Sequence, residues 1–173
     1  MATTEPRVEP IHTARLELIL LHESHAEEMV AVLADPILYQ FTGGEPPERD
    51  ALRRRYRRQV AGSPRPGELW WNWVIRLPSE GCLVGFTQAT VSPPSSHRRV
   101  EVAWVLGTPW QGHGYAREAA GALTTWLVAH HALGEVVAHI HPDNHASAAV
   151  ATSIGMAVTD LWRDGERRWR LVT

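Results

Sequence analysis

The sequence predicts a single domain of the α/β (α+β) class, with about four helices and a mostly antiparallel sheet. The length of 173 residues suits one domain with a sizeable core. Apolar residues make up 44% of the chain and charged residues 21%, as in ordinary globular proteins. The hydrophobic periodicity changes along the chain in the order strand, helix, helix, three strands, helix, strand, helix and two strands. No internal repeat interrupts this order.

Composition also excludes several classes of function. The net charge of −2 gives no reason to expect binding to nucleic acid or to an anionic membrane. No apolar run approaches the roughly 18 residues that a membrane span needs, and the polar start MATTEPRVEP lacks the apolar core of a signal peptide. The single cysteine, Cys82, excludes an internal disulfide and fits a reducing compartment. We therefore expect a cytoplasmic protein.

The first third of the chain predicts one strand and two helices. Residues 1–12 are expected to be a flexible start, and residues 13–173 a single domain. The stretch 15–21 has strand periodicity, and a capping box of Ser24 and Glu27 predicts the start of a helix that ends near residue 35. A second helix is predicted over 47–60, and it carries five arginines, namely Arg53, Arg54, Arg55, Arg57 and Arg58. This arginine run predicts a solvated face, or else contact with an acidic acceptor or with an outer phosphate of a ligand.

The rest of the chain predicts two hairpins and a central strand. Residues 69–77 alternate, with Trp71, Trp73, Ile75 and Leu77 on one face, and residues 82–91 form the partner strand. The remaining predicted elements are a strand over 99–106, a helix over 115–131 that Gly134 stops, a strand over 135–141, a helix over 146–154, and strands over 157–162 and 166–172.

The segment 101–117, EVAWVLGTPWQGHGYAR, predicts an anion-binding bend. A buried strand ends at Gly107, a glycine-containing turn follows, and a long helix begins near Tyr115. The start of a helix leaves several backbone N–H groups unpaired and pointing at one spot, which favours a phosphate. Gly112 and Gly114 lack a Cβ, so a ligand can approach the backbone closely.

Two common phosphate motifs do not fit this bend. Arg117 stands where the dinucleotide fingerprint requires its third glycine or alanine, and the Walker A pattern is absent because the chain has no lysine. The remaining pattern is Gln-x-x-Gly-x-Ala, made by Gln111, Gly114 and Ala116. It resembles the pyrophosphate loop of the GCN5-related N-acetyltransferases (GNAT).

Other segments extend this resemblance over nearly the whole chain. The stretch 13–18 resembles the opening strand of the RimJ/RimL branch of that family, and residues 144–147 with 154–156 resemble its N-x-x-S…G-F segment. Met156 and Ser153 depart from the branch pattern. The resemblance implies the acyl-CoA N-acyltransferase fold, with a mixed, mostly antiparallel twisted sheet that splays open at its central strands.

The resemblance also implies that acetyl-CoA is the cofactor. Trp104, Val105 and Leu106 would face the pantetheine arm, with the N–H of Val105 or Leu106 as oxyanion donor. Asn144 would cap the helix that follows it, contact the pantetheine, or do both. Gln111 and the backbone N–H groups of Gly112, His113, Gly114, Tyr115 and Ala116 would hold the pyrophosphate, and Arg117 would add charge or face solvent.

An amine acceptor needs a proton acceptor, because an amine with a pKa of about 10.4 is mostly protonated at neutral pH. Glu101 is the predicted base, since burial in an apolar strand would raise its pKa, and related enzymes often use a Glu on this strand. The alternative is that Glu101 forms an ion pair with a nearby arginine such as Arg99, and His141 and His97 are fallback bases. Ser147 is predicted to donate a hydrogen bond to the leaving sulfur, or else to satisfy the backbone of its own helix.

The predicted function is acetyl-CoA-dependent N-acetyl transfer to a primary amine of a small molecule or a peptide, in a ternary complex. The alternatives are a CoA-binding sensor without turnover and a transferase for a longer acyl group such as succinyl. Trp71, Trp73 or Trp110 would line the cleft of an enzyme with an aromatic or hydrophobic acceptor. The resemblance also makes a homodimer possible. No metal is expected, because His139, His141 and His145 lie close in sequence but lack a fourth ligand.

Overall fold

The computed structural model describes residues 7–94, 98–130 and 135–172. Its helices are α1 (Ala26–Val32), α2 (Arg49–Ala61), α3 (Tyr115–His130) and α4 (His145–Ser153). Its strands are β1 (Ile11–His12), β2 (Glu17–Leu20), β3 (Leu69–Leu77), β4 (Cys82–Val91), β5 (Arg99–Leu106), β6 (Glu135–Ile140), β7 (Met156–Arg163) and β8 (Glu166–Leu171). Three short 3-10 helices lie at Glu23–His25, Pro36–Tyr39 and Thr108–Trp110.

All eight strands form one sheet in the order β1-β2-β3-β4-β5-β6-β8-β7. Every neighbouring pair is antiparallel except β5 and β6, which run parallel because α3 connects them. The predicted class, a mixed and mostly antiparallel sheet with four helices, is therefore confirmed.

The sheet separates two hydrophobic clusters. On one face, the alternate residues of β3 pack under α3, as their spacing predicts: Trp71, Trp73, Ile75 and Leu77 are all buried. On the other face, a smaller cluster forms under α1 and α2, with Met29 and Leu52 fully buried. The central strands are thus covered on both faces of the sheet.

The opening lies between β5 and β6. Their pairing begins at Arg99 with Glu135 and ends at Glu101 with Val137, although the strands continue to Leu106 and Ile140. Beyond Glu101 the two strands diverge, as the family resemblance implies. The second half of β5 therefore has backbone groups that no neighbouring strand takes up on this side.

The ordered domain begins earlier than residue 13. Ile11–His12 pairs with β2, and Ile11 is buried in the larger cluster. The indole nitrogen Nε1 of Trp73 donates to the backbone oxygen of Glu9 at 3.0 Å. The predicted flexible start is therefore wrong for residues 11 and 12, which belong to the sheet, and residues 1–6 lie outside the described part.

The predicted capping box of Ser24 and Glu27 is also wrong. The side chain of His22 accepts from the N–H of Ser24, and the side chain of His25 accepts from the N–H of His22, so the two imidazoles cap a 3-10 turn before α1. An imidazole nitrogen presents the same lone pair as the usual oxygen cap. Gly134, the predicted stop of α3, and His97 lie outside the described residues.

Within the ranges described, no helix is both long enough and apolar enough to cross a membrane.

Candidate functional site

A cleft of about 1330 Å³ opens where β5 and β6 diverge, bounded by the chain between α1 and α2 on one side and the starts of α3 and α4 on the other. It brings together most of the predicted site residues: Trp104, Val105, Leu106, Gln111, Gly112, Gly114, Tyr115, Ala116, Arg117, Asn144 and Ser147. Glu101 and His113 are the two predicted residues that do not line it. We call this opening the cleft.

The bend before α3 is built for an anion. Gly112 and Gly114 have φ angles of 78° and 79°, in the left-handed region that favours glycine. The first helical hydrogen bond runs from the N–H of Glu118 to the oxygen of Gly114 at 3.0 Å. Across the described ranges, the backbone N–H groups of residues 112–117 have no hydrogen-bond partner. Such a row of free donors at a helix start binds anions.

Gln111 holds the bend onto the strand. Its amide nitrogen Nε2 donates to the backbone oxygen of Leu106 at 3.0 Å. The predicted contact of Gln111 with pyrophosphate stays a prediction. The side chain sets the position of the bend, and the backbone supplies the free donors.

Backbone directions on β5 distinguish the two predicted oxyanion donors. The N–H of Gly107 donates to the oxygen of Val84 on β4 at 2.8 Å. Because successive N–H groups along a strand point to opposite sides, that of Val105 also faces β4, while that of Leu106 faces the opening. Of the two residues, only Leu106 directs its donor into the cleft.

Arg15 was not predicted, although it holds the same bend. Its guanidinium donates to the backbone oxygen of His113 at 3.0 Å and to Glu118 at 2.7 Å, and it lies 4.6 Å from the ring centre of Tyr115. The carboxylate of Glu118 also accepts from the hydroxyl of Thr13 at 2.6 Å. The only sequence signal was the Thr-Ala-Arg-Leu phrase of the opening strand, and nothing in it showed a partner 98 residues away.

Glu101 has a different partner from the one predicted. Its carboxylate forms two hydrogen bonds with the guanidinium of Arg163, one of them 2.8 Å long, and none with Arg99. The Nδ1 atom of His139 lies 3.2 Å from Oε1 of the same carboxylate. Burial acts to raise the pKa of Glu101, but Arg163 and His139 together lower it below its usual value of 4.5. The predicted raised pKa is therefore wrong.

Two further ionisable groups from neighbouring strands do line the cleft. The side chain of His139 on β6 is only 7% exposed. Glu166, at the start of β8, has its pKa raised chiefly by burial. The predicted spare base His141 also lines the cleft, where its ring stacks on Phe41 with 5.2 Å between ring centres. The cleft is thus lined by three ionisable side chains other than Glu101 that could accept or donate a proton.

The start of α4 agrees with the predicted cap. The side-chain oxygen of Asn144 accepts from the N–H of Ser147 at 3.1 Å. The hydroxyl of Ser147 lines the cleft and makes no hydrogen bond with any residue that the structure describes. The alternative in which this hydroxyl satisfies its own helix backbone is therefore not seen.

The tryptophans suggested for an acceptor cleft do not line it. Trp71 and Trp73 are buried and pack edge-on against Trp126. The Nε1 atom of Trp110 donates to Glu80 at 3.0 Å, away from the opening. The aromatic side chains of the cleft are instead Tyr39, Phe41, Phe86, Trp104 and Tyr115.

The arginine run of α2 divides into two groups. Arg53 and Arg57 pair with Glu23 before α1, at 3.4 and 2.9 Å. Arg55 lines the cleft and is the arginine of the run that faces it. In the described part of the chain, no three His, Cys, Asp or Glu side chains are grouped to hold a metal ion.

Comparison with known proteins gives one family. Residues 15–157 match the family model described as the acetyltransferase (GNAT) domain. The FsC-acetyl coenzyme A-N(2)-transacetylase of Aspergillus fumigatus is 28% identical over 150 residues, which cover 84% of this chain and 64% of that protein. The chain therefore spans less than two thirds of that relative's length.

Solved structures share the fold. RimL, a ribosomal L7/L12 alpha-N-protein acetyltransferase in complex with coenzyme A, superposes with a TM-score of 0.77 at 19% identity, covering 94% of this chain and 96% of that chain. An acetyltransferase from Agrobacterium tumefaciens gives a TM-score of 0.74 at 25% identity, covering 100% and 99%. Since the family model matches most of the chain, the protein belongs to the GNAT family of acetyltransferases.

Proposed function

We propose that the protein transfers an acetyl group from acetyl-CoA to a primary amine, by direct attack within a ternary complex. One observation carries this proposal: the bend whose N–H groups are free lines the same cleft as the unpaired edge of β5, through Gly112 and residues 114–117. The first feature suits a diphosphate, and the second suits a chain of amides. Coenzyme A joins these two chemical features in one molecule.

The residues divide the work of binding and activation. The N–H groups of the bend hold the pyrophosphate, with Arg117 adding positive charge, and the opening side of β5 pairs with the pantetheine. The N–H of Leu106 stabilises the oxyanion that forms when the amine attacks the thioester carbon. The free hydroxyl of Ser147 donates to the sulfur as the thiolate leaves, and Asn144 orders the helix start that carries it.

Glu101 contributes to removal of the amine proton without touching the amine. Its lowered pKa keeps the carboxylate ionised at neutral pH, but Arg163 occupies it, and it does not line the cleft. It therefore acts through water or through a neighbouring side chain. Glu101→Gln removes the charge while keeping the shape, and we expect a loss of turnover with acetyl-CoA binding retained.

The acceptor is a nitrogen nucleophile that enters beside Tyr39, Phe41 and Phe86. The names of two similar proteins agree with this class, since RimL is described as an alpha-N-protein acetyltransferase and the fungal relative as an N(2)-transacetylase. We propose a peptide α-amine or a small primary amine with an apolar body. A cytoplasmic location and a homodimer remain predictions of the sequence.

Calorimetry and an acceptor screen test this function. Titration with acetyl-CoA and with CoA should show 1:1 binding at micromolar concentrations, and thiol release should appear with some primary amines of the screen. Absence of binding at high micromolar acetyl-CoA would overturn the proposal. Binding with no turnover across peptide and small amines would instead favour the sensor, and faster turnover with succinyl-CoA would favour the longer acyl donor.

A further inference from the structure

The side chain of His139 lies at the point where β5 and β6 diverge. It lies on β6, two residues beyond Val137, the last residue that pairs with β5. Its side chain is 7% exposed, and it lines the cleft. An imidazole here lies beside the edge of β5 along which the proposed thioester would bind.

The carboxylate beside His139 favours the tautomer with hydrogen on Nδ1. Its Nδ1 atom is buried and lies 3.2 Å from the carboxylate of Glu101, without the orientation of a full hydrogen bond to any described residue. A carboxylate can only accept, so its nearness to Nδ1 favours the tautomer in which Nδ1 carries the hydrogen and Nε2 keeps the lone pair. Nε2 is not among the buried unpaired atoms, and it has no partner in the described part of the chain.

Glu101 is itself held in place. Arg163, from β7, donates to both of its oxygens, so the carboxylate cannot rotate freely toward the cleft. Side-chain exposure falls from 46% at Arg163 to 30% at Glu101 and 7% at His139, and of the three only His139 lines the cleft. A carboxylate fixed behind an imidazole orients the ring and stabilises its protonated form.

We propose that His139 is the proton-accepting catalytic residue and that Glu101 is the positioning residue behind it. This inference rests on the proposed function, because it assigns the base of that same reaction.

The proton and electron balance is simple. The acceptor enters as an ammonium, and Nε2 of His139 takes one proton from it. The freed lone pair of nitrogen forms the bond to the thioester carbon, and the bond from that carbon to sulfur then breaks. The second proton of nitrogen passes to the thiolate, which leaves as CoA thiol, and His139 returns its proton to solvent.

Other charged groups face His139, and each is a rival or a modifier. Glu101 lies on β5, Glu166 and Arg168 on β8, Arg163 on β7, and His141 directly after the end of β6. Glu166 is the strongest rival base, because it lines the cleft and burial raises its pKa. His141 is the second rival, because it also lines the cleft, two residues beyond His139 and just after the end of β6.

The test compares single variants of the full chain. His139→Gln, Glu101→Gln, Glu166→Gln and His141→Gln are assayed with acetyl-CoA and phenylethylamine as the probe acceptor, or with the best amine of the screen. His12→Gln, an exposed histidine on β1, is the matched control. Calorimetry with CoA shows whether each variant still folds and binds.

We expect His139→Gln to lower kcat by about 100-fold or more while the Kd for CoA stays within about twofold, since general bases contribute on this scale. The acid limb of the kcat/KM profile should disappear, and added imidazole should restore turnover to His139→Ala. His12→Gln should match the wild type. Loss of the acid limb in Glu166→Gln or His141→Gln but not in His139→Gln would overturn the inference.

A readout without turnover separates this inference from the proposed function. Long-range ¹H–¹⁵N spectra of the imidazole should show the Nδ1–H tautomer of His139 in the wild type, and a shift toward the other tautomer in Glu101→Gln. An Nε2–H tautomer in the wild type would overturn the inference. Failure of the wild type to bind acetyl-CoA would instead overturn the proposed function.

Discussion

At the scale of single residues, two carboxylates near the cleft respond to opposite surroundings. Burial acts on both, and nearby histidines and Arg163 act on both, but of the two only Glu101 accepts hydrogen bonds from Arg163. The pKa of Glu101 is therefore lowered, while that of Glu166 is raised. The contrast shows that burial alone does not decide the charge of a carboxylate, because a hydrogen-bonded arginine can reverse the direction of the pKa shift.

This contrast predicts opposite effects of pH on stability. A lowered folded-state pKa means that Glu101 stabilises the fold above its usual pKa of 4.5, and that this stability is lost as the pH falls through the lowered value. Glu101→Gln should therefore flatten the fall in Tm as the pH drops from about 5 to about 3. For Glu166, stability is lost as the pH rises above 4.5, so Glu166→Gln should raise Tm at neutral pH but not at pH 4.

Thermal melts across the pH range check both effects. Glu45→Gln, at an exposed position, is the control and should follow the wild-type curve. Parallel melting curves for Glu101→Gln and the wild type would contradict the pairing with Arg163.

A second prediction concerns the conformation of Gly112. Its φ of 78° is costly for any residue with a Cβ, by about 1–2 kcal/mol, and a methyl group there would also lie where the pyrophosphate is proposed to bind. We expect Gly112→Ala to lower Tm and to raise the Kd for CoA by about tenfold. Gly81→Ala is the matched control, because Gly81 has a φ of 69° in the turn between β3 and β4, far from the bend.

Calorimetry and melting of the two glycine variants distinguish strain from binding. Gly81→Ala should lose Tm to a similar extent while its Kd for CoA stays that of the wild type. Equal losses of CoA affinity in both variants would show that the bend does not contact the ligand.

At the scale of elements, the start of β2 is tied to the start of α3 through Arg15. The guanidinium bridges the oxygen of His113 and the carboxylate of Glu118, and it covers the ring of Tyr115. These contacts hold the bend between β5 and α3 from outside, while Gln111 holds it from the strand side. Two elements distant in sequence thus fix the row of free N–H groups.

Arg15→Lys tests this bridge. A lysine keeps the charge but reaches only one of the partners, so the bend should loosen. We expect the Kd for CoA to rise about fivefold while kcat stays within about twofold, which is a loss of about 1 kcal/mol. Arg76→Lys is the control, because Arg76 forms a comparable 3.0 Å pair with Glu17 on the exposed side of the sheet. Unchanged CoA affinity in Arg15→Lys would contradict the role of the bridge.

Most elements followed from local sequence, and the exceptions have physical reasons. The strands at 69–77, 82–91 and 99–106 match their predicted bounds, because each residue pattern records which face is buried. β1 was missed because two residues carry no periodicity, and the cap by His22 was missed because imidazole is an unusual cap.

The parts of the candidate site that followed from sequence are those set by local structure, namely the bend before α3 and the cap of α4 by Asn144. The bend from Gly112 to Ala116 was found because glycines and a helix start are visible in the chain. The partner of Glu101 was not found, since Arg163 lies 62 residues away and only the fold brings it near. His139 was considered only as a metal ligand, because its position beside a carboxylate depends on the pairing of β5 with β6.

At the scale of the whole molecule, the sheet supports two clusters of different size. The larger, under α3, contains the tryptophans at 71, 73 and 126, whose rings pack edge-on. The smaller, under α1 and α2, lies beside the cleft. The larger cluster therefore supports α3, the helix that begins at the bend.

Replacing a buried tryptophan and replacing an exposed one should lower the free energy of unfolding by very different amounts. Trp73 is fully buried, so Trp73→Ala should lower the free energy of unfolding by about 3–5 kcal/mol. Trp162 is 58% exposed and lies under Arg167, so Trp162→Ala should cost less than about 1 kcal/mol. Urea unfolding measures both, and similar costs for the two would contradict the assignment of the core.

The divergence of β5 from β6 has one more consequence, for solubility. An unpaired strand edge on a protein surface can form hydrogen bonds with another polypeptide, which leads to aggregation. Here the unpaired edge of β5 lies inside the cleft of about 1330 Å³, enclosed by the starts of two helices and a loop. A slender linear molecule can enter that space, whereas a second folded chain is too bulky. The unpaired edge thereby stays accessible to the proposed cofactor but not to another folded protein.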